Sequence, residues 1–238
     1  MVLFASTFPD TESIAYYKAR YHYLLQILFG ETLASDYCRR MSAFAPNHAA
    51  TKYLLQQQTE EDAHLEMLTD YVGSNPRPQA LISPHLLKLH EMMSEAIGAK
   101  DYEACIFIQN FIVEGVNISF LRELEHHADG KLSELCSKIL ADEVGHMEFG
   151  VTEIKRILEQ NKSKNLRKKF NRLQRKIFYH FLGLVPMLVR ESKDIGIPAT
   201  EFAKKALEEH LDRIAQAHYP LPLIDKVLAY TLLFFISW

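Results

Sequence analysis

Apolar residues recur at spacings of three and four along most of the chain, the period of a helix with one buried face. The first run starts at Thr11, which can cap a helix, and reaches about Phe44, just before Pro46. A second extends from about Asn47 to Tyr71 and stops at Gly73. The stretch 73–83 carries Pro76 and Pro78 and predicts a loop. Ser83 followed by Pro84 predicts an N-cap with proline in the first helical position, opening a third helix that ends near Gly98. The pattern then predicts a fourth helix from about Asp101 to Asp129-Gly130 and a fifth from about Lys131 to Gln160. A sixth runs from about Asn165 to Lys193, kinked near Pro186 and closed by Gly196 and Pro198. Thr200 caps a seventh, ending at about His218, and Pro220 and Pro222 set it apart from an apolar tail over 227–238. No segment of strand period and no solenoid repeat interrupts this series. The class is all-α, built from long antiparallel helices.

Composition narrows the picture. Of 238 residues, 48% are apolar and 24% charged, the balance of a globular chain rather than a disordered or collagen-like one. With 30 acidic against 27 basic residues the formal net charge is −3, so global charge gives no reason to expect a nucleic-acid binder. Cys38, Cys105 and Cys136 are widely spaced and odd in number, which favours a reducing, cytoplasmic setting. Residues 1–10 lack the basic start and long apolar run of a signal peptide. The apolar tail is shorter than the ~20 residues a membrane span needs. It reads as a buried or interface helix, which makes a homodimer plausible.

Chemistry enters with two Glu-x-x-His segments, Glu61 with His64 and Glu143 with His146. Residues three apart share a helix face, so both side chains of each segment can reach one ion. Each Glu follows another acid, Glu60 or Asp142, which could hold the non-ligating nitrogen of a metal-bound histidine. The motif alone is weak: about one copy is expected by chance in such a sequence, and a third exists at Glu123 and His126.

Register makes the case stronger. Glu31 and Glu114 each sit in an otherwise apolar helical stretch, where an unpaired charge is costly. The midpoint between Glu31 and Glu61 is Pro46, and the midpoint between Glu114 and Glu143 falls beside Asp129-Gly130; both are predicted turns. Two antiparallel hairpins would therefore bring Glu31, Glu61, His64, Glu114, Glu143 and His146 to one height, as in di-metal carboxylate bundles. Glu123 lies nine residues beyond Glu114, about 900° of helical rotation, and faces the other way; it and His126 read as surface. The bland alternative is that buried Glu and His satisfy one another by hydrogen bonds. Oxygen and imidazole donors without thiolate suit iron or manganese better than structural zinc.

On these residues the chain resembles the ferritin-like di-iron carboxylate oxygenases and oxidases. The resemblance rests on Glu31, Glu61-Asp62-Ala63-His64, Glu114 and Asp142-Glu143-Val144-Gly145-His146, at spacings of 30, 53 and 29 residues. In that respect it is similar to aldehyde-deformylating oxygenases and phenylacetyl-CoA oxygenase subunits. The resemblance implies a ferritin-like four-helix bundle over about 11–160 with a crossover helix, and a C-terminal helical extension over about 163–238, in a single domain. It implies two iron ions, or manganese with iron, dioxygen as substrate, and an external electron donor such as a ferredoxin or reductase. Where the radical-bearing ribonucleotide reductase subunits keep a tyrosine, seven residues after the first Glu of the motif, this chain has Leu68.

Gly30, Gly115 and Gly145 flank three of the ligands. A mid-helix glycine costs about 1 kcal/mol relative to alanine. Space for a substrate, a local helix distortion or close helix packing would each justify that cost. Leu24, Ile27, Phe107, Phe111 and Ile118 could line an apolar pocket. An oxygenase or oxidase acting on a small, partly apolar organic substrate, such as a fatty aldehyde or acid, is therefore expected. The alternative is a ferroxidase without organic substrate. One further feature stands out: Lys162, Lys164, Arg167, Lys168, Lys169, Arg172, Arg175 and Lys176 form a run over 162–176 with no acid among them. It reads as a solvated face or as a dock for an acidic partner such as a ferredoxin, an acyl carrier protein or tRNA. The apolar stretch 177–189 that follows could cover the site.

Overall fold

The computed structural model describes residues 11–73, 79–128, 130–227 and 231. Eight α-helices and no strand occur among them: α1 (Thr11–Ser42), α2 (His48–Val72), α3 (Pro84–Gly98), α4 (Tyr102–Ile106), α5 (Glu114–His127), α6 (Gly130–Gln160), α7 (Lys164–Ile195) and α8 (Ala199–Gln216). The predicted boundaries follow local chemistry. The Asn47 side chain accepts from the Ala50 N–H at 3.0 Å and starts α2, and Gly73 closes it at φ 79°. Ser83 accepts from the His85 N–H ahead of Pro84, and Asp101 accepts from the Ala104 N–H at 3.1 Å.

Two expectations are corrected. Helix α8 begins at Ala199 after Pro198 with no side-chain cap, so Thr200 lies inside its first turn instead of capping it. The predicted fourth helix is not uniform: Phe107–Val113 between α4 and α5 is a π-helix. The apolar tail lies mostly outside the described residues.

Helices α1 and α2 form one antiparallel hairpin and α5 and α6 another. The stretch α4–π–α5 runs antiparallel to α1. Tyr37, Cys38 and Met41 share an apolar cluster with Cys105, Phe107 and Phe111, whereas Leu24 and Leu28 share a second with Ile118, Leu121 and Leu124. In the first cluster Phe107 stacks on Phe170 at 4.4 Å; burying a side chain of this size contributes about 1.5–3 kcal/mol. These two clusters occupy opposite ends of the bundle. On each of the four core helices one buried glutamate falls between them: Glu31 between Leu28 and Tyr37, Glu61 between Leu54 and Leu68, Glu114 between Ile112 and Ile118, Glu143 between Leu140 and Val151. The apolar ends thus hold a polar middle layer at fixed height. Helices α3, α7 and α8 wrap the outside, where Ala19, Tyr23, Leu184, Ile197 and Phe202 form a third cluster. Among the described residues, the one helical stretch long and apolar enough to cross a membrane is Tyr102–His127, and 78% of its apolar window is buried inside the protein. It is the α4–π–α5 stretch, one of the four core members of the bundle.

Candidate di-metal site

The middle layer brings all six predicted residues together. Glu31, Glu61, His64, Glu114, Glu143 and His146 are each at most 2% exposed. Their donor atoms fall into two groups, Glu31 with Glu61, His64 and Glu143, and Glu61 with Glu114 and His146, within 4.8 Å of one another in each group. Both imidazoles present Nδ1 to the centre. Glu61 sets one oxygen 3.6 Å from Nδ1 of His64 and the other 3.3 Å from Nδ1 of His146. Glu143 does the same at 3.7 and 3.5 Å. Glu61 and Glu143 each face both histidines and could reach an ion beside either, while Glu31 lies with the His64 group and Glu114 with the His146 group.

The outward nitrogens are held in a crossed manner. His64 Nε2 lies 3.2 Å from Asp142, and His146 Nε2 lies 2.9 Å from Glu60. Each hairpin's acid therefore orients the other hairpin's histidine. An Nε2–H donated to a carboxylate fixes the tautomer that leaves Nδ1 free as a ligand.

A set of amides, absent from the sequence-based expectation, completes the layer. Gln57 donates to Glu61 at 3.0 Å and to Glu114 at 3.1 Å. Asn110 donates to Gln57 at 2.7 Å, and Asn117 reaches Glu143 at 3.3 Å. Gln109 donates to Glu114 at 2.7 Å although it lies five residues earlier. In an α-helix these two would point about 140° apart. The π-helix aligns them, and the Glu114 N–H bonds to the Gln109 carbonyl.

The electrostatics fit cations. Burial, then the charge of Glu61, pushes Glu31 up to about 8. Burial, then Glu114 and Glu61, raises Glu143 well above the usual carboxylate range, and burial with Glu61 raises Glu114. At His64, burial opposes protonation, but the Glu31 and Glu61 carboxylates beside it outweigh that and push the imidazole up to about 11. His146 is raised in the same way by Glu143 and Glu61. At Glu61 burial is outweighed by the adjoining His146 and His64 imidazoles, which hold it low. Protons thus neutralise a cluster of four carboxylates that two divalent ions would neutralise instead. One oxygen each of Glu61 and Glu143, and His146 Nδ1, are buried with no hydrogen-bond partner, and all three lie in this cluster. Unpaired buried donors and acceptors are costly, and metal coordination would satisfy them. The donor set fits two oxygen- and imidazole-loving ions.

The glycines divide among the anticipated causes. A Cβ on Gly30 would meet nothing within 4 Å, and Gly30 lines a cavity. A Cβ on Gly115 would clash with the Arg213 guanidinium, so that glycine admits a buried arginine and not a substrate. Gly145 faces only the Tyr53 hydroxyl, at 3.8 Å.

The cavity measures about 470 Å³, within the range of small-molecule sites. Its walls include Glu31, Glu61 and Glu114 on one side and Leu33, Phe178, Phe181 and Leu184 on others. Phe178, Phe181, Leu182, Leu184, Val185 and Met187 of the stretch 177–189 line it. Of the predicted lining residues, Ile27 is in the wall, while Leu24, Phe107, Phe111 and Ile118 pack in the cores. His210 also lines it, with both ring nitrogens unpaired. Glu123 and His126 are remote: Glu123 pairs with Lys205 at 3.2 Å and His126 is exposed.

Compared by sequence, the chain matches no protein-family model and no curated protein. Compared by structure, it is similar to protein 19 with aldehyde deformylating oxidase activity from Synechococcus. That match has a TM-score of 0.79 and 19% identity, and covers 95% of this chain and 99% of that one. A variant of R2-like ligand-binding oxidase with an anaerobically reconstituted Mn/Fe cofactor matches at a TM-score of 0.73 and 16% identity, over 88% of this chain and 82% of that one. The fold is ferritin-like. Within this ferritin-like bundle α1, α2, α4–π–α5 and α6 are the four core helices, α3 belongs to the crossover, and α7 and α8 are the extension that closes the cavity.

Proposed function

We propose that the protein is an oxygen-activating di-metal oxidase or oxygenase acting on an elongated, largely apolar organic substrate. The observation that carries this reading is one of placement: the two donor groups share Glu61, and the same carboxylate layer forms part of the wall of a 470 Å³ apolar cavity. The metal ligands in this reading are Glu31, Glu61, His64, Glu114, Glu143 and His146, with Glu60 and Asp142 orienting the histidines. Two bound iron ions, or a manganese–iron pair, would supply the redox equivalents and open positions that dioxygen chemistry requires. The residues supply the rest. Phe178, Phe181 and Leu184 exclude water and align an apolar chain with its reacting end toward Glu31 and Glu114. Gln57, Gln109 and Asn117 keep the carboxylates from rotating. His64 and His146 keep their Nε2 protons, donated to Asp142 and Glu60, while the Nδ1 protons leave on metal binding. Reducing equivalents come from an external donor. A ferroxidase without organic substrate has no use for the apolar cavity, which favours the oxygenase reading.

The test is elemental analysis after anaerobic loading with ferrous iron, followed by oxygen uptake with straight-chain aldehydes and acids as probes. Two metal ions per chain, and oxygen uptake that a probe accelerates, are expected. The Glu143→Ala variant should lose both ions. A wild-type chain that retains no iron, or one whose oxygen uptake ignores every probe, refutes the proposal.

A further inference from the structure

We propose that the outer face of α7, with the adjoining residues 223–227, docks on an anionic lipid bilayer. At 100° per residue, Lys164, Lys168, Arg172, Lys176, Tyr179 and Leu182 fall within about a third of the helix circumference. All six are exposed, Tyr179 by 67% and Leu182 by 48%. Not every basic residue of the run is available. Lys169 is tied to Asp101 at 2.6 Å and to Glu103 at 3.0 Å, and Arg175 to Asp225 at 2.9 Å. Those two are taken up by pairing within the chain. Lys164, Lys168, Arg172 and Lys176 form no ion pair among the described residues and form a cationic stripe.

The stripe has apolar borders. Along the helix it passes into Tyr179 and Leu182. At its side the Arg175–Asp225 pair anchors residues 223–227, where Leu223 is 77% exposed, Ile224 62% and Val227 54%. An acidic protein would pair with the cations and leave these five apolar groups without a role. A bilayer with anionic head groups takes both kinds: cations at the level of the phosphates, and aliphatic and tyrosine side chains in the interfacial zone. Leu182 adds a connection. It is exposed on this face and also lines the cavity. Resting on the function proposed above, an apolar substrate would pass from the lipid past Leu182 into the cavity without crossing water. The docking itself depends only on the surface.

Co-sedimentation of the full chain with vesicles tests the proposal, using phosphatidylcholine alone and phosphatidylcholine mixed with phosphatidylglycerol. Binding to the anionic vesicles alone is expected, weakened by added salt. Each cation near an anionic surface strengthens binding about fivefold. The Lys168→Glu/Arg172→Glu/Lys176→Glu variant should therefore bind at least about 100-fold more weakly while melting like the parent. It keeps the apolar sequence 227–238, so that segment cannot account for a loss. Leu223→Ser/Ile224→Ser should lose the binding that persists at high salt. No binding to anionic vesicles, equal binding to neutral ones, or an unaffected triple variant overturns the proposal. So does capture of an acidic ferredoxin by this face in place of vesicles. Repeating the assay with and without ferrous iron separates the two readings: vesicle binding by a chain that retains no iron overturns the oxidase function alone.

Discussion

A single methyl group placed where α6 meets the π-helix should loosen the metal site from a distance. A Cβ added at Gly150 would stand 2.5 Å from the Asn110 carbonyl carbon and 2.6 Å from its oxygen. Both are backbone atoms, so no side-chain rotation relieves the clash. The two helices must separate by about 0.9 Å to reach ordinary contact at 3.4 Å. Overpacking of this kind costs about 1–3 kcal/mol, toward the upper end where backbone must move. Alanine's better helix propensity returns about 1 kcal/mol. The net for Gly150→Ala is a loss of about 2 kcal/mol, or a drop in Tm of about 4–8 °C for a chain of this length. Moving Asn110 also strains its 2.7 Å hydrogen bond to Gln57, the amide that holds both Glu61 and Glu114. Disturbing such an outer support lowers metal affinity about 10–100-fold. Differential scanning calorimetry and competitive iron titration measure the two effects. Gly30→Ala is the matched control: it meets nothing within 4 Å, so the same substitution should raise Tm by about 2–4 °C. A Gly150→Ala protein that melts at or above the parent would refute the reasoning.

Two further outcomes follow from the site. Asp142→Asn and Glu60→Gln should each weaken metal binding about 10–100-fold, with Asp142→Asn disturbing the ion beside His64 and Glu60→Gln the one beside His146; equal broadening of both sites in Mössbauer spectra would contradict the crossed pairing. Metal-free protein should lose stability as pH rises from about 4.5 to 8, because Glu31 titrates at about 8 when folded against 4.5 when unfolded and so favours the folded state only while protonated. Thermal melts across that range check it, and a metal-free Tm that climbs steadily toward pH 8 would exclude it. The His64 contribution has the same sign, full below about 6.5 and lost as pH passes about 11.

What was readable in advance depended on period. The six buried donors follow from 3.6-residue spacing and two turn positions, both of which the sequence carries locally. Turn chemistry was equally local: Asn47, Ser83-Pro84 and Gly73 carry their own conformational preferences. The supporting amides were not readable, because Gln57 and Asn117 look like any polar residue on a helix. Gln109 faces Glu114 only because of a π-helix for which FIQNFIV gives no period-based signal. The buried Arg213 was hidden for a related reason: its partner is the absence of a side chain at Gly115, on a helix far away in sequence. The glycine beside Glu114 was visible; what fills it was not.

The crossed pairs of Glu60 with His146 and Asp142 with His64 bear on how the molecule assembles. Neither hairpin holds a complete half-site, since each borrows from the other the group that aims its imidazole. On the function proposed above, high-affinity metal uptake has to wait until the two halves have docked in register. Newly made chains would report their own completion by acquiring metal, and a misaligned bundle would stay unloaded instead of running oxygen chemistry in an ill-sealed cavity.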